Sequence, residues 1–185
     1  MEVDSIYLDD GVLRHVPHGN LQASSSVFLL GGTDKIANLL ACVQFLWSIG
    51  IFLSLIHIWL QEAPIRYIVD DCLKFVLREQ RRGRQYDGIV MDPPSYGRGA
   101  GGQIWKVEND LYELVTEAAK LLSPSPLFFL ISSYTTGLSS VVTANLLERT
   151  VRPRFGGAIA ADNLCLPVEG SRLVLPCGTT ARWSK

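Results

Sequence analysis

Residues 86–99, YDGIVMDPPSYGRG, decide how the rest of the chain is read. Residues 88–91 form a short apolar run that halts at Asp92-Pro93-Pro94, because proline has no amide to donate to a neighbouring strand. Working upstream, residues 65–69 (IRYIV) are β-branched and aromatic, which predicts a strand. Asp70 or Asp71 can then cap a helix whose Leu73, Val76 and Leu77 share one face and which Gly83 ends. Downstream, residues 108–122 carry Leu111, Leu114, Val115, Ala118 and Leu122 on one stripe, stopped by Ser123-Pro124. Residues 127–131 (LFFLI) are apolar throughout, as befits a strand with helices on both faces of its sheet. Residues 139–151 read as a further helix, and strands at 158–167 and 172–177 close the pattern around a turn at Gly170. Strand and helix alternation followed by a hairpin predicts an α/β fold, mostly parallel with an antiparallel edge.

In open α/β sheets, ligands sit beyond the carboxyl ends of the strands. Three polar clusters fall at such predicted ends: Asp70-Asp71, Asp92 to Tyr96, and Ser132 to Thr136. Between residues 74 and 106, Lys74, Arg78, Arg81, Arg82, Arg84, Arg98 and Lys106 outnumber Glu79, Asp87 and Asp92, which suits a polyanionic partner. A solvated helix end, with cations favoured by the negative end of its dipole, is the plainer reading of REQRRGR.

The first 60 residues look different. They hold five acidic and two basic residues, whereas residues 61–185 hold thirteen and fifteen. Residues 36–60 (IANLLACVQFLWSIGIFLSLIHIWL) contain no Asp, Glu, Lys or Arg. That is long enough to cross a bilayer, which takes about 20 helical residues. Asn38, Gln44, Ser48, Ser54 and His57 would each need a partner in lipid, so a buried core element is a second reading. A third starts from LSLIHI, residues 53–58, which resembles the in-frame translation of a transposon end widely used to tag DNA before sequencing. On that reading residues 1–58 are foreign to the remainder of the chain. The position, just ahead of the enzyme-like half, favours this seam. The acidic start MEVDSIYLDD is unlike a secretory leader, and four scattered cysteines without zinc-ligand spacing suit a reducing cytoplasm.

YDGIVMDPPSYGRG, with GQIWKVENDLYELV, PLFFLISSYTTGLS and the closing GSRLVLPCGTTARW, resembles bacterial class I S-adenosylmethionine-dependent methyltransferases. The group is the one related to large-subunit ribosomal RNA methyltransferases, and the likeness runs over residues 63–183. It implies a Rossmann-like methyltransferase sheet, with S-adenosylmethionine as cofactor and RNA as substrate. Asp70, Asp71 and Cys72 would lie against the cofactor's adenine. Asp92, Pro93 and Pro94 would lie between the sulfonium and the target base, with Asp92 touching both. Tyr96 would stack on that base, and Arg81, Arg82, Arg84, Arg98 and Lys106 would meet RNA phosphates.

Elementary chemistry points the same way. Methyl transfer needs acceptor and methyl held close and aligned, and a carboxylate can orient a base amino group for that. An aromatic platform suits a flipped or single-stranded base. Pyrimidine carbon-5 chemistry needs a cysteine nucleophile, and the resemblance to cytosine methyltransferases implies a place for it after the strand at 127–131, where SSYTTG has none; Cys165 and Cys177 read as packing residues. A base nitrogen is the expected target. The chain departs from the family where a glycine-rich loop and an acidic residue should come after the first two strands. VFLLGGTDK, with Gly31-Gly32 and Asp34, is a poor match. The sheet is therefore expected to lack its first strands, and cofactor binding to be weak. Two other functions remain: a membrane-anchored α/β binding protein, and a methyltransferase for a small molecule or a protein.

Overall fold

The computed structural model describes residues 6–7, 26–30, 66–68, 70–98 and 104–185. Its main sheet has five strands: β2 (Ser26–Leu30), β4 (Gly88–Asp92), β7 (Phe128–Ser133), β8 (Ala158–Pro167) and β9 (Val174–Ser184). Their order is β2-β4-β7-β9-β8. β4 and β7 run parallel, with Gly88 opposite Phe128 and Met91 opposite Ile131. β9 returns antiparallel between β7 and β8, so the C-terminal hairpin is built into the sheet. Two small sheets stand apart, β1 (Ile6–Tyr7) with β3 (Arg66–Tyr67), and the hairpin of β5 (Tyr96–Arg98) with β6 (Ile104–Lys106).

Among the described residues three helices line one face: α1 (Cys72–Arg81), α2 (Val107–Ala119) and α3 (Ser140–Thr150), with a single turn, α4 (Arg152–Phe155), after them. The stripe predicted on α2 is the buried one, since Leu111, Leu114, Val115 and Ala118 all face inward. They meet Ile89, Met91, Phe129 and Ile131, which share a sheet face because side chains alternate along a strand. Val90, Phe128 and Leu130 point the other way and are buried as well, so both faces of the parallel pair are covered. That explains LFFLI, apolar at every position. Each such side chain stabilises the fold by roughly 1.5–3 kcal/mol. Gly88 is required by packing: a Cβ there would lie 2.6 Å from the Phe128 ring.

Trp183 anchors the last strand. Its indole is fully buried, stacks at a tilt on Phe155 (5.8 Å between centroids) and donates to the Gly156 carbonyl at 2.6 Å. The expected strand over 172–177 is thus the start of a longer one, because Ala181 and Trp183 continue the buried alternation to Ser184.

Two expectations are corrected. The strand expected at 65–69 is two residues long and pairs with β1, outside the sheet that holds Asp92. Asp70-Asp71 therefore does not share a sheet edge with the other two polar clusters. Cys165 is exposed instead of packed, because β8 is an edge strand whose outer half extends past β7. Among the described residues no helix is long and apolar enough to cross a membrane. The run at 36–60, the seam at 53–58 and the Gly31-Gly32-Asp34 segment lie outside the described residues.

Candidate active site

The parallel pair β4–β7 ends in two loops that carry the polar clusters. β4 delivers Asp92, half-buried, to the end of the sheet, and the buried Pro93 and Pro94 turn the chain away. Asp92 has no hydrogen-bond or ion-pair partner among the described residues. Burial in that setting pushes its carboxyl up from 3.8 to about 6. A carboxylate kept partly dry without a partner costs stability, so it marks a site more than a scaffold.

The turn after Asp92 is held from several sides. Trp105 Nε1 donates to the Pro94 carbonyl at 2.8 Å, and the Val107 amide donates to the Ser95 carbonyl at 3.1 Å. The adjoining β5–β6 hairpin has two faces set by its register, Tyr96 opposite Lys106 and Arg98 opposite Ile104. Gly97 and Trp105 pack inward, while Tyr96, Arg98, Ile104 and Lys106 are exposed. Arg98 Nε donates to the Tyr96 hydroxyl at 3.1 Å, fixing the ring on the outer face.

The loop after β7 is tied to this turn. Ser95 Oγ and Thr135 Oγ1 share a hydrogen bond of 2.8 Å. Behind it lies a set of hydroxyls: Ser133 Oγ accepts from the Thr135 amide, Ser132 Oγ donates to Thr180 Oγ1, and Thr179 Oγ1 donates to the Leu138 carbonyl. Gly178, at φ 142°, lets β9 press against this loop, where a Cβ would come within 2.4 Å of the Ser133 carbonyl oxygen. Tyr134 stands out of the loop, 56% exposed. Desolvation and the nearby Asp92 charge both hold its phenol above the usual range, so it stays neutral.

The sequence-predicted residues divide. Asp92, Pro93, Pro94, Tyr96, Arg98 and Lys106 come together at the end of β4. Arg81, Arg82 and Arg84 precede the strand, at its other end, roughly 13 Å away at 3.3 Å per strand residue. Asp70 binds Arg78 at 2.5 Å, and Asp71 caps α1 by accepting the Lys74 amide at 3.0 Å. Cys72 is the half-buried first residue of α1, packed on the core. Of the carboxylates assigned to the cofactor, Asp70 and Asp71 thus also have structural tasks, whereas Asp92 has none among the described residues. Sequence reasoning includes Tyr134 only within the Ser132–Thr136 cluster and does not single out Thr179 or Thr180, which face that cluster from β9.

The outer neighbour of β4 departs from a doubly wound sheet. A doubly wound nucleotide-binding sheet joins its halves in parallel at this position. Here β2 runs antiparallel, Ser26 opposite Asp92 and Leu30 opposite Gly88. The strand ahead of Gly31-Gly32 ends away from Asp92.

Comparison with solved structures gives the same fold. A SAM-dependent methyltransferase from Agrobacterium tumefaciens is 33% identical over 68% of this chain and 41% of its own length, with a TM-score of 0.62. The fold is a partial Rossmann-like methyltransferase fold. The chain spans about two fifths of that relative's length. A Streptococcus mutans protein assigned as a SAM-dependent methyltransferase matches at 18% identity over 64% of this chain and 30% of its own, TM-score 0.40. A protein assigned as a methyltransferase and solved with S-adenosylhomocysteine matches at 20% over 63% of this chain and 31% of its own, TM-score 0.41. These last two superpose too loosely to bear on function. No family model matches the chain, and no curated protein matches it.

Proposed function

We propose that the chain carries the acceptor-binding part of an S-adenosylmethionine-dependent methyltransferase that acts on a base nitrogen of ribosomal RNA. The observation behind this reading is the Asp92 end of β4: an unpartnered, half-buried carboxylate whose turn, followed by the exposed Tyr96, is hydrogen-bonded to the loop that carries the exposed Tyr134. Likeness to the Agrobacterium methyltransferase supports the reaction class. S-adenosylmethionine would supply an electrophilic methyl group. The chain's own part is to hold the acceptor. Ionised Asp92 accepts a hydrogen bond from a base amino group and fixes its direction, Tyr96 stacks on the ring, and Arg98 and Lys106 neutralise nearby phosphates. Because the carboxylate form does the accepting, base recognition should strengthen as pH rises through about 6.

The antiparallel β2 and the poor glycine-loop match support the further proposal that this chain, as written, binds S-adenosylmethionine weakly. Calorimetry finding micromolar affinity would sink that part. Long-read sequencing of the source DNA across the codons for residues 27–66 tests the whole. If it finds a strand, a glycine-rich loop and an acidic residue there, the repaired protein should methylate ribosomal RNA and lose that activity on Asp92→Ala. Reads that reproduce the present sequence would put the membrane-anchored reading first, with the compartment no longer cytoplasmic.

A further inference from the structure

Among the described residues three tyrosines stand exposed, and they are not alike. Tyr112 on α2 lies under the Arg149 guanidinium at 5.9 Å, and Tyr96 is fixed by Arg98. Tyr134, the most exposed of the three, has no hydrogen-bond or ring partner among the described residues. An aromatic ring held in water by a loose loop would be ordinary, but this loop is held. Its neighbour Ser133 is pressed by Gly178 and accepts the Thr135 amide, and Thr135 is bonded to Ser95 across the gap between the two strand ends. That bond joins the residue before Tyr96 to the residue after Tyr134. Asp92 ends β4, the strand paired with the one that leads into Tyr134, and its charge acts on the phenol.

We propose that Tyr134 is a second aromatic platform of the acceptor site, stacking on the same RNA base, or its immediate neighbour in the strand, whose amino group Asp92 receives. The proposal rests on reading the site as one for an RNA base. Its chemistry comes from the ring: base stacking on aromatic side chains needs a π-face, tolerates any base and does not need the hydroxyl.

The test uses the full chain and a single-stranded RNA oligonucleotide carrying one 2-aminopurine, whose fluorescence falls on stacking. Neither S-adenosylmethionine nor methyl transfer is involved. Wild type should bind and quench. Tyr134→Ala should bind about tenfold more weakly and lose much of the quench, while Tyr134→Phe should keep both. Unfolding temperatures of both variants should match wild type, as expected for an exposed side chain. Tyr134→Ala binding and quenching like wild type, while Tyr96→Ala weakens, would overturn the role of Tyr134 and leave the site itself standing. Equal losses in Tyr134→Ala and Tyr134→Phe would assign the effect to the hydroxyl and also overturn it. An oligonucleotide that wild type ignores would remove the RNA reading, and the platform with it.

Discussion

At the start of β4 the charged residues work in pairs. Buried Glu79 accepts from the Tyr86 hydroxyl at 2.6 Å and from Arg82 at 2.8 Å, Asp87 accepts from Ser123 Oγ, and Gln80 donates to Glu117, which also holds Lys120. The Lys120 and Gln80 bonds pull the Glu117 carboxyl below its usual range. At the other end of the same strand, Asp92 has no such partner and is pushed up to about 6. Burial alone does not separate the two ends, since Glu79 is deeper than Asp92. What separates them is satisfaction. A buried acid with two donors is part of the scaffold, whereas an unsatisfied one is kept at a cost that a bound ligand can offset.

The contrast can be broken most forcefully at Glu79. Glu79→Ala should destabilise the domain by about 3 kcal/mol in denaturant unfolding, because it orphans the buried Tyr86 hydroxyl and leaves a void. A loss below about 1 kcal/mol would mean the paired end is not structural. Asp92→Asn should act in the opposite direction. A folded carboxyl raised from 3.8 to about 6 makes the native state the better proton binder. Wild-type stability is therefore full below pH 4 and falls as pH rises through about 6. The variant should be more stable by about 2 kcal/mol at pH 8, with the gap closing near pH 4. Equal stability at both pH values would show that Asp92 is neither dry nor alone.

Smaller effects refine the picture. Asp71→Ala should remove the cap of α1 at a cost of about 1 kcal/mol, without affecting RNA binding. A larger effect on ligand binding than on stability would return Asp71 to the site. The cations test the comparison last. Replacing Arg98 and Lys106 by alanine should flatten the salt dependence of RNA binding by about one unit of slope per residue. Replacing Arg81 and Arg82 should leave the slope unchanged, while costing about 1–3 kcal/mol of stability because the buried Glu79 carboxylate loses one of its two donors.

Much of this architecture was legible in the sequence. α1, α2, α3, β4, β7 and the hairpin turn come from apolar spacing and from proline and glycine stops, because each is a local pattern that tertiary packing reinforces. β9 was cut short because GTTARWS has no apolar run; its alternation shows only once Ala181 and Trp183 are seen buried. The pairing of β3 with β1 could not be read, since strand partners lie far apart in sequence and a two-residue strand carries no period. The placement of Asp92, Pro93 and Pro94 at a strand end was legible because proline fixes where a strand stops. Arg81, Arg82 and Arg84 were grouped with them by closeness along the chain, but β4 intervenes and carries the two sets to opposite ends. Tyr134 was included only as part of the Ser132–Thr136 cluster, because its link to the Asp92 turn runs through Ser95 and Thr135, residues 40 apart.

The most direct test of the Asp92 end as the site is photochemical cross-linking of the full chain to a single-stranded RNA, with the modified peptides mapped by mass spectrometry. Cross-links are expected on Tyr96, Tyr134 and the β5–β6 hairpin if RNA docks there. Cross-links concentrated at residues 81–84, with none on either tyrosine, would contradict that assignment.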